Sequence, residues 1–367
     1  MTKAYESAGV DYDTLDAAKR LAMELAAGTL HQPLRRGASV VDASIGEPAT
    51  LLELGGLTLA VVLECLGTKS MIAREVEDVL GLDRWDAVGI DAVAAIVNDL
   101  CCVGALPLTV NAYFATGSSS WYSGRRHPSL VAGWRRACDE VGAAWVGGES
   151  PTLSGLIDPD QIDLAGSALG RLPDGAAPWL GSRLEAGDEI VVVDSSGLHA
   201  NGASLARALA ASPERCPQGW AEELPSGRAF GDAVLDPSVL YPRLVEAMFA
   251  ADVPVHYASH VTGHGWRKLM RAGRDLTYRL GAVPAVPEVL AFMVGRAGLD
   301  PREAYGTLNM GAGFSLFVAA GAGADAVAAG VEAGFGLRVA GVVEEGPRRV
   351  VLEPLGVTYD SSELELR

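Results

Sequence analysis

Between residues 86 and 102 the chain reads Asp-Ala-Val-Gly-Ile-Asp-Ala-Val-Ala-Ala-Ile-Val-Asn-Asp-Leu-Cys-Cys, a helical stretch that is apolar almost all round. Such a helix has no face to give to water, so it must lie sandwiched between other layers. Asp91 and Asp99 interrupt it eight residues apart, just over two turns, which puts both on roughly one face. An acid in so apolar a helix is costly unless it is paired or bound to a cation. Capping and solvent contact are the plain alternative; a metal is the other.

The helix has strands around it. Leu57-Thr58-Leu59-Ala60-Val61-Val62-Leu63 is a continuous apolar run with β-branched members, the pattern of a buried strand. Further strands are expected at residues 108–115, 143–146, 162–171, 188–194, 276–280, 313–318, 337–343 and 349–352. Helices are expected at 14–27, 128–141, 201–211, 237–250, 265–272 and 287–297, whereas residues 40–52 read as irregular. Strands and helices mix in both halves, so the fold class is α/β or α+β with mixed sheets. A chain of 367 residues favours two domains, and the loose Pro-, Gly- and Ala-rich stretch 172–187 puts a boundary near 175, giving domains 1–175 and 176–367.

Charge and cysteine content exclude several partners. The net charge is -17, and no basic cluster exceeds Arg125-Arg126 or Arg135-Arg136, so a nucleic-acid partner is not expected. The five cysteines are odd in number and form no CxxC, which favours reduced thiols in a cytoplasmic protein. The polar first residues lack an apolar signal core, and the longest apolar runs, 57–63 and 92–97, are too short to span a bilayer, so no membrane role is expected.

Several polar words end apolar elements. Gly67-Thr68-Lys69 follows the first strand: the glycine lets backbone N–H groups face an anion, Thr68 adds a hydroxyl and Lys69 a charge. The same turn also serves as an ordinary strand-to-helix connection with a solvated lysine, and it lacks Walker A spacing. Val97-Asn98-Asp99 closes the apolar helix, Gly147-Gly148-Glu149 closes a strand, and Asp163 interrupts another. Glu64, Asp91, Asp99, Glu149 and Asp163 together are a candidate oxygen-ligand set for Mg²⁺, although each alone is more often a surface or capping acid. Three glycine turns follow: Ser195-Ser196-Gly197-Leu198-His199-Ala200-Asn201-Gly202, His260-Val261-Thr262-Gly263-His264-Gly265 and Asn309-Met310-Gly311-Ala312-Gly313. The first precedes a helix, whose N-terminus is a ready anion site. His260 with His264 lacks an evident third ligand for zinc.

In this order, and with Ser7-Ala8-Gly9-Val10-Asp11, Gly89-Ile90-Asp91 and Asp163-Leu164-Ala165-Gly166, these words resemble the phosphoribosylformylglycinamidine cyclo-ligase (AIR synthetase) family over nearly the whole chain. The resemblance implies two mixed α/β domains. The N-terminal one binds ATP and dimerises, its sheet forming a barrel across a homodimer; the C-terminal one is AIR synthetase-like. It implies a small-molecule nucleotide substrate, ATP and Mg²⁺. It further implies closure of an imidazole ring through phosphorylation of an amide oxygen, a step in purine synthesis. Lys69, Asp99 and His199 are then the candidate catalytic residues. Gly67, Thr68, Lys69, Asn98, Gly148, Asn201, Gly263 and His264 are the candidates for nucleotide binding.

The chain departs from the family pattern in three places. Glu64-Cys65-Leu66 stands where Asp-Gly-Val is usual, His264 interrupts a run of three glycines, and the early glycine-rich loop is reduced to Ser44-Ile45-Gly46-Glu47-Pro48. These leave room for another ATP-dependent phosphoryl-transfer enzyme of the superfamily, or for a non-catalytic nucleotide-binding paralogue.

Overall fold

The computed structural model describes residues 21–364. Residues 21–27 are helical, while the rest of the expected helix at 14–27, and the motif at residues 7–11, lie outside the described residues. Two mixed sheets organise the molecule. The first contains β1 (Ala38–Val40), β2 (Thr50–Leu54), β3 (Leu57–Cys65), β4 (Leu106–Thr116), β5 (Ala144–Glu149) and β6 (Ile162–Arg171) in the order β1-β2-β3-β6-β4-β5. Its neighbours run antiparallel except β4 and β5.

The second sheet contains β7 (Glu189–Asp194), β8 (Val255–His260), β9 (Leu276–Leu280), β10 (Ala312–Val318), β11 (Leu337–Glu345), β12 (Arg349–Leu352) and β13 (Val357–Asp360). Their order is β13-β12-β9-β11-β7-β10-β8, and only β12 and β9 run parallel. Strands β8 and β10 are buried along their whole length. No helix among the described residues is long and apolar enough to cross a membrane.

The apolar helix spans Trp85–Cys101 and buries 14 of its 17 residues. It packs on β3 and β6 of the first sheet. At its C-terminal end Cys101 and Cys102 join a core built from β7, β10 and the Pro242–Ala250 helix. It is therefore held between the two sheets, as its composition demands. Its crossing with the Arg126–Glu140 helix is very close: a Cβ on Gly89 would come within 2.3 Å of the Leu130 carbonyl oxygen, and one on Gly133 within 1.9 Å of the Asp86 carbonyl oxygen. Gly89 thus serves helix packing. Gly133→Ala is expected to force the helices apart and cost about 1–3 kcal/mol, read as a lower midpoint in urea unfolding.

Several expectations need correction. Strand β3 is not covered on both faces: Ala60 and Val62 point inward, but Leu57, Val61 and Leu63 are exposed, Leu63 at 76 %. The continuous apolar run marks a sheet with one bare apolar face. The region 40–52 is irregular over 41–49, apart from the short 3-10 turn Asp42–Ser44, but it also carries the end of β1 and the first residues of β2. The turn after Thr262 enters a 3-10 helix, Gly265–Met270, instead of an α-helix. Strands β8 and β13 and the helices Lys69–Leu80 and Pro301–Thr307 have no counterpart among the expected elements. β8 matters most, because it ends on His260.

Candidate functional site

A cavity of about 300 Å³ opens between the two halves. Glu47, Glu64, Asn98 and Asp99 line it from the first sheet and its helix. His199, Asn201, Ser238, His260, Thr262, Lys268 and Arg271 line it from the second. Glu64 is there because it shares the inward face of β3 with Ala60 and Val62, one register step from the end of the strand.

Asp99 sits in the last turn of the Trp85–Cys101 helix and its Oδ1 lies 2.9 Å from Nδ1 of His260. Burial would raise its pKa, but the His260 hydrogen bond and charge, with Lys268 and Arg271 nearby, bring it below the ordinary aspartate value. Asp99 is thus an anion at neutral pH. Lys268 is pushed down to about 8, first by burial and then by the charge of Arg271, against the opposing pull of Asp99, Cys102 and Glu64. Its Nζ donates to Thr262 Oγ1. Arg271 donates to the Gly46 carbonyl at 2.6 Å and lies 3.6 Å from Glu47, tying the shortened early loop to the second half.

Lys69 does not reach this cavity. Its ammonium is fully buried and forms an ion pair with Asp91 Oδ2 at 2.6 Å, and it donates to the Asp236 carbonyl at 3.2 Å. Asp91 Oδ1 accepts from the backbone N–H of Ser238 at 2.8 Å and from its hydroxyl at 2.5 Å. Burial holds the Asp91 carboxyl above its usual pKa despite Lys69 and both Ser238 bonds. The pair pins the 236–238 loop to the first half. Asn98 does the same work: Nδ2 donates to the Val239 carbonyl at 2.8 Å and Oδ1 accepts from Tyr241 N–H at 2.9 Å. Expected as ligand contacts, Lys69 and Asp91 stand outside the cavity lining as an inter-segment strut, while Asn98 bridges the segments and also lines the cavity.

The five carboxylates expected around one metal do not meet, and no cluster of three or more His, Cys, Asp or Glu suited to a metal is found among the described residues. Glu64 and Asp99 share the cavity. Asp163 and Glu149 are exposed, the register placing them opposite Ala115 and Tyr113 of β4. Strand alternation puts Asp163 on the face opposite that of Glu64.

The three glycine turns converge on one residue. Asn309 Oδ1 accepts from Ser195 Oγ and from Gly311 N–H, both at 2.9 Å. Its Nδ2 donates to the Gly197 carbonyl at 2.8 Å, and its own carbonyl accepts from Trp266 Nε1 at 2.8 Å. The turns are tight enough that His199, His264 and Met310 all adopt positive φ, at 56°, 69° and 46°. His264 occupies a left-handed position where a glycine costs nothing, which is the physical sense of the glycine run it interrupts. His199 Nε2 accepts from Ser196 N–H at 3.2 Å and Val239 N–H at 3.4 Å, so Nδ1 carries its proton and finds no partner among the described residues. Burial, with the charges of His260 and Lys69, keeps this histidine neutral by pushing its pKa well down.

Of the remaining expected binding residues, Gly67 has φ 73° and leads into the Lys69–Leu80 helix, whose N-cap is Thr68. Thr68 Oγ1 lies 3.5 Å from Ser204 Oγ. Gly148 approaches Ala112 so closely that a Cβ would lie 2.0 Å from its carbonyl oxygen. Asn201 and Thr262 line the cavity, while Gly263 and His264 stand just behind Thr262 in the chain. Lining residues to which the motifs gave no role are Ser238, Lys268 and Arg271; Glu47 stood only in the shortened early loop, and His260 was weighed only as half of a zinc pair with His264.

The description "AIR synthase related protein, N-terminal domain" matches residues 46–172, and "AIR synthase related protein, C-terminal domain" matches residues 185–353. The chain is 35% identical over 354 residues to a phosphoribosylformylglycinamidine cyclo-ligase of Anaeromyxobacter sp. strain K, covering 94% of this chain and 97% of that protein. It is 32% identical over 325 residues to one of Methanothermobacter thermautotrophicus, covering 86% and 87%. Among solved structures it resembles hydrogenase maturation protein HypE in complex with ATP, with TM-score 0.59 and 19% identity over 84% of this chain and 85% of that one. It also resembles AaThiL complexed with AMPPCP and TMP, with TM-score 0.55 and 17% identity over 86% and 90%. Matched along both sheets and at this identity to named cyclo-ligases, the chain belongs to the AIR synthase family.

Proposed function

We propose that this protein cyclises formylglycinamidine ribonucleotide to aminoimidazole ribonucleotide, consuming ATP and releasing ADP and phosphate. The observation that carries the reading is likeness to cyclo-ligases across 94% of the chain. An amide oxygen is a poor leaving group. Transfer of the γ-phosphoryl group of ATP to it makes an iminophosphate; a neighbouring nitrogen attacks that carbon and phosphate leaves. Positioning and charge neutralisation do most of this work, with no protein nucleophile needed.

The cavity suits that task. Mg²⁺ typically takes one or two carboxylates and fills its shell with water and substrate phosphates, and Glu64 and Asp99 are two carboxylates in one cavity. The ion would neutralise the transferring phosphoryl group. His260 holds Asp99 in place. His199 offers an Nδ1–H donor with no acceptor among the described residues, fit for an amide or phosphoryl oxygen. Asn201 lies beside it in the lining.

The test is release of ADP and phosphate by the purified protein, with and without formylglycinamidine ribonucleotide, alongside assay of aminoimidazole ribonucleotide. Product that depends on that substrate supports the reading. Turnover only with another acceptor, or nucleotide binding without turnover, overturns it.

The protein acts as a cytoplasmic homodimer in this reading. Support comes from the bare apolar face of the first sheet, where Leu54, Leu57, Val61 and Leu63 are exposed side by side on β2 and β3. An apolar face of that kind on a soluble chain marks an interface. Leu63→Glu is expected to shift the protein from dimer to monomer in light scattering after gel filtration; an unchanged mass removes this face from the interface.

A further inference from the structure

Lysine is rare here: four of the 29 Lys and Arg residues, and only Lys69 and Lys268 fall among the described residues. Lys69 is locked to Asp91. Lys268 has no carboxylate within 4.0 Å among the described residues. Its ammonium carries three donors, and among the described residues it donates to Thr262 Oγ1 alone. Its backbone is anchored, since its carbonyl accepts from Ser259 Oγ of β8 at 3.2 Å. The side chain lies in the wall of the cavity that also contains Glu64 and Asp99. Arg271, the other strong cation of that wall, donates through Nη2 to the Gly46 carbonyl, and its Nε lies 3.6 Å from Glu47.

A compact ammonium with spare donors, fixed beside two carboxylates that can take Mg²⁺, is what a phosphate needs as its second counter-charge. We propose that Lys268 is the phosphate-binding cation of this cavity, in the place that the Gly67-Thr68-Lys69 word led one to assign to Lys69. The inference rests on the cyclo-ligase reading for the source of the phosphate, which is either the polyphosphate of ATP or the ribose phosphate of the acceptor. Thr262 positions the ammonium, and Arg271 positions the loop in front of it.

Calorimetry on the full-length protein tests this with two probes, inorganic tripolyphosphate and ribose 5-phosphate. Lys268→Met and Lys268→Gln are expected to weaken at least one probe tenfold or more, and Lys268→Arg to recover most of that loss. Weaker tripolyphosphate alone assigns Lys268 to ATP; weaker ribose 5-phosphate alone assigns it to the acceptor. Thermal melting of each variant separates loss of the charge from loss of fold, and Arg135→Gln, on an exposed helix face, is the control that should bind as wild type. Unchanged binding of both probes by a folded Lys268→Gln overturns the proposal, as does a wild-type protein that binds neither at millimolar concentration. Intact, Lys268-dependent anion binding in a protein that forms no aminoimidazole ribonucleotide would overturn the cyclo-ligase reading and leave this inference standing.

Discussion

Asp99→Asn is expected to lower kcat/KM for ATP-dependent cyclisation by roughly 10²–10³, about 3–4 kcal/mol of transition-state stabilisation. The amide keeps the size of the carboxylate and can still accept from His260, so the fold should survive. What disappears is a full negative charge that His260, Lys268 and Arg271 keep ionised. In the proposed reading Asp99 is one of two carboxylates that would hold Mg²⁺, so the Mg²⁺ concentration for half-maximal rate should rise tenfold or more. His260 and Lys268 would then face the cavity with less opposing charge, so ATP binding can hold or even tighten while kcat falls. That split between binding and turnover is the signature to look for in steady-state kinetics. Full activity in the asparagine variant would remove Asp99 from the chemistry.

The second large effect is on stability. Lys69→Met should cost about 3–5 kcal/mol, because it leaves the Asp91 carboxylate uncompensated in a fully buried site. The two Ser238 hydrogen bonds to Asp91 soften the loss without supplying a charge. A lysine on a phosphate in an open cleft would behave differently: its removal would weaken ATP binding and leave the melting temperature nearly unchanged. Lys69→Met with Asp91→Asn should recover a good part of the loss, since no unpaired charge then remains buried. Differential scanning calorimetry of the two variants, beside ATP titrations, distinguishes the roles.

The fold was readable where composition leaves no choice. The Trp85–Cys101 helix is too apolar to lie anywhere but between layers, and its position between the sheets follows from that alone. Strands β6 and β9 end where their apolar and turn residues say they should. The site was only partly readable, for a physical reason. A motif shows which polar groups stand at the ends of apolar elements; it does not show whether a partner from a distant segment has already taken them. Lys69 and Asp91 carry the letters of a ligand site, yet they pair with each other and with the 236–238 loop, away from the cavity lining. Lys268 and Arg271 were given no role because basic residues in and just past a short helix look like any solvated side chains. Asn309 was seen as part of a glycine turn, but its role as the common anchor of three turns depends on contacts across more than a hundred residues.

A chamber walled by both sheets has a consequence for the life of the protein. Any molecule lodged there bridges the two halves, and its affinity adds directly to the work needed to pull them apart. At a hundredfold excess over its Kd the gain is about 2.7 kcal/mol. Starved of nucleotide, the halves would part more often, baring the connecting stretch and the greasy packing around Cys101 and Cys102 to proteases. The cellular amount of this protein would then follow the supply of what it consumes, with no dedicated regulator.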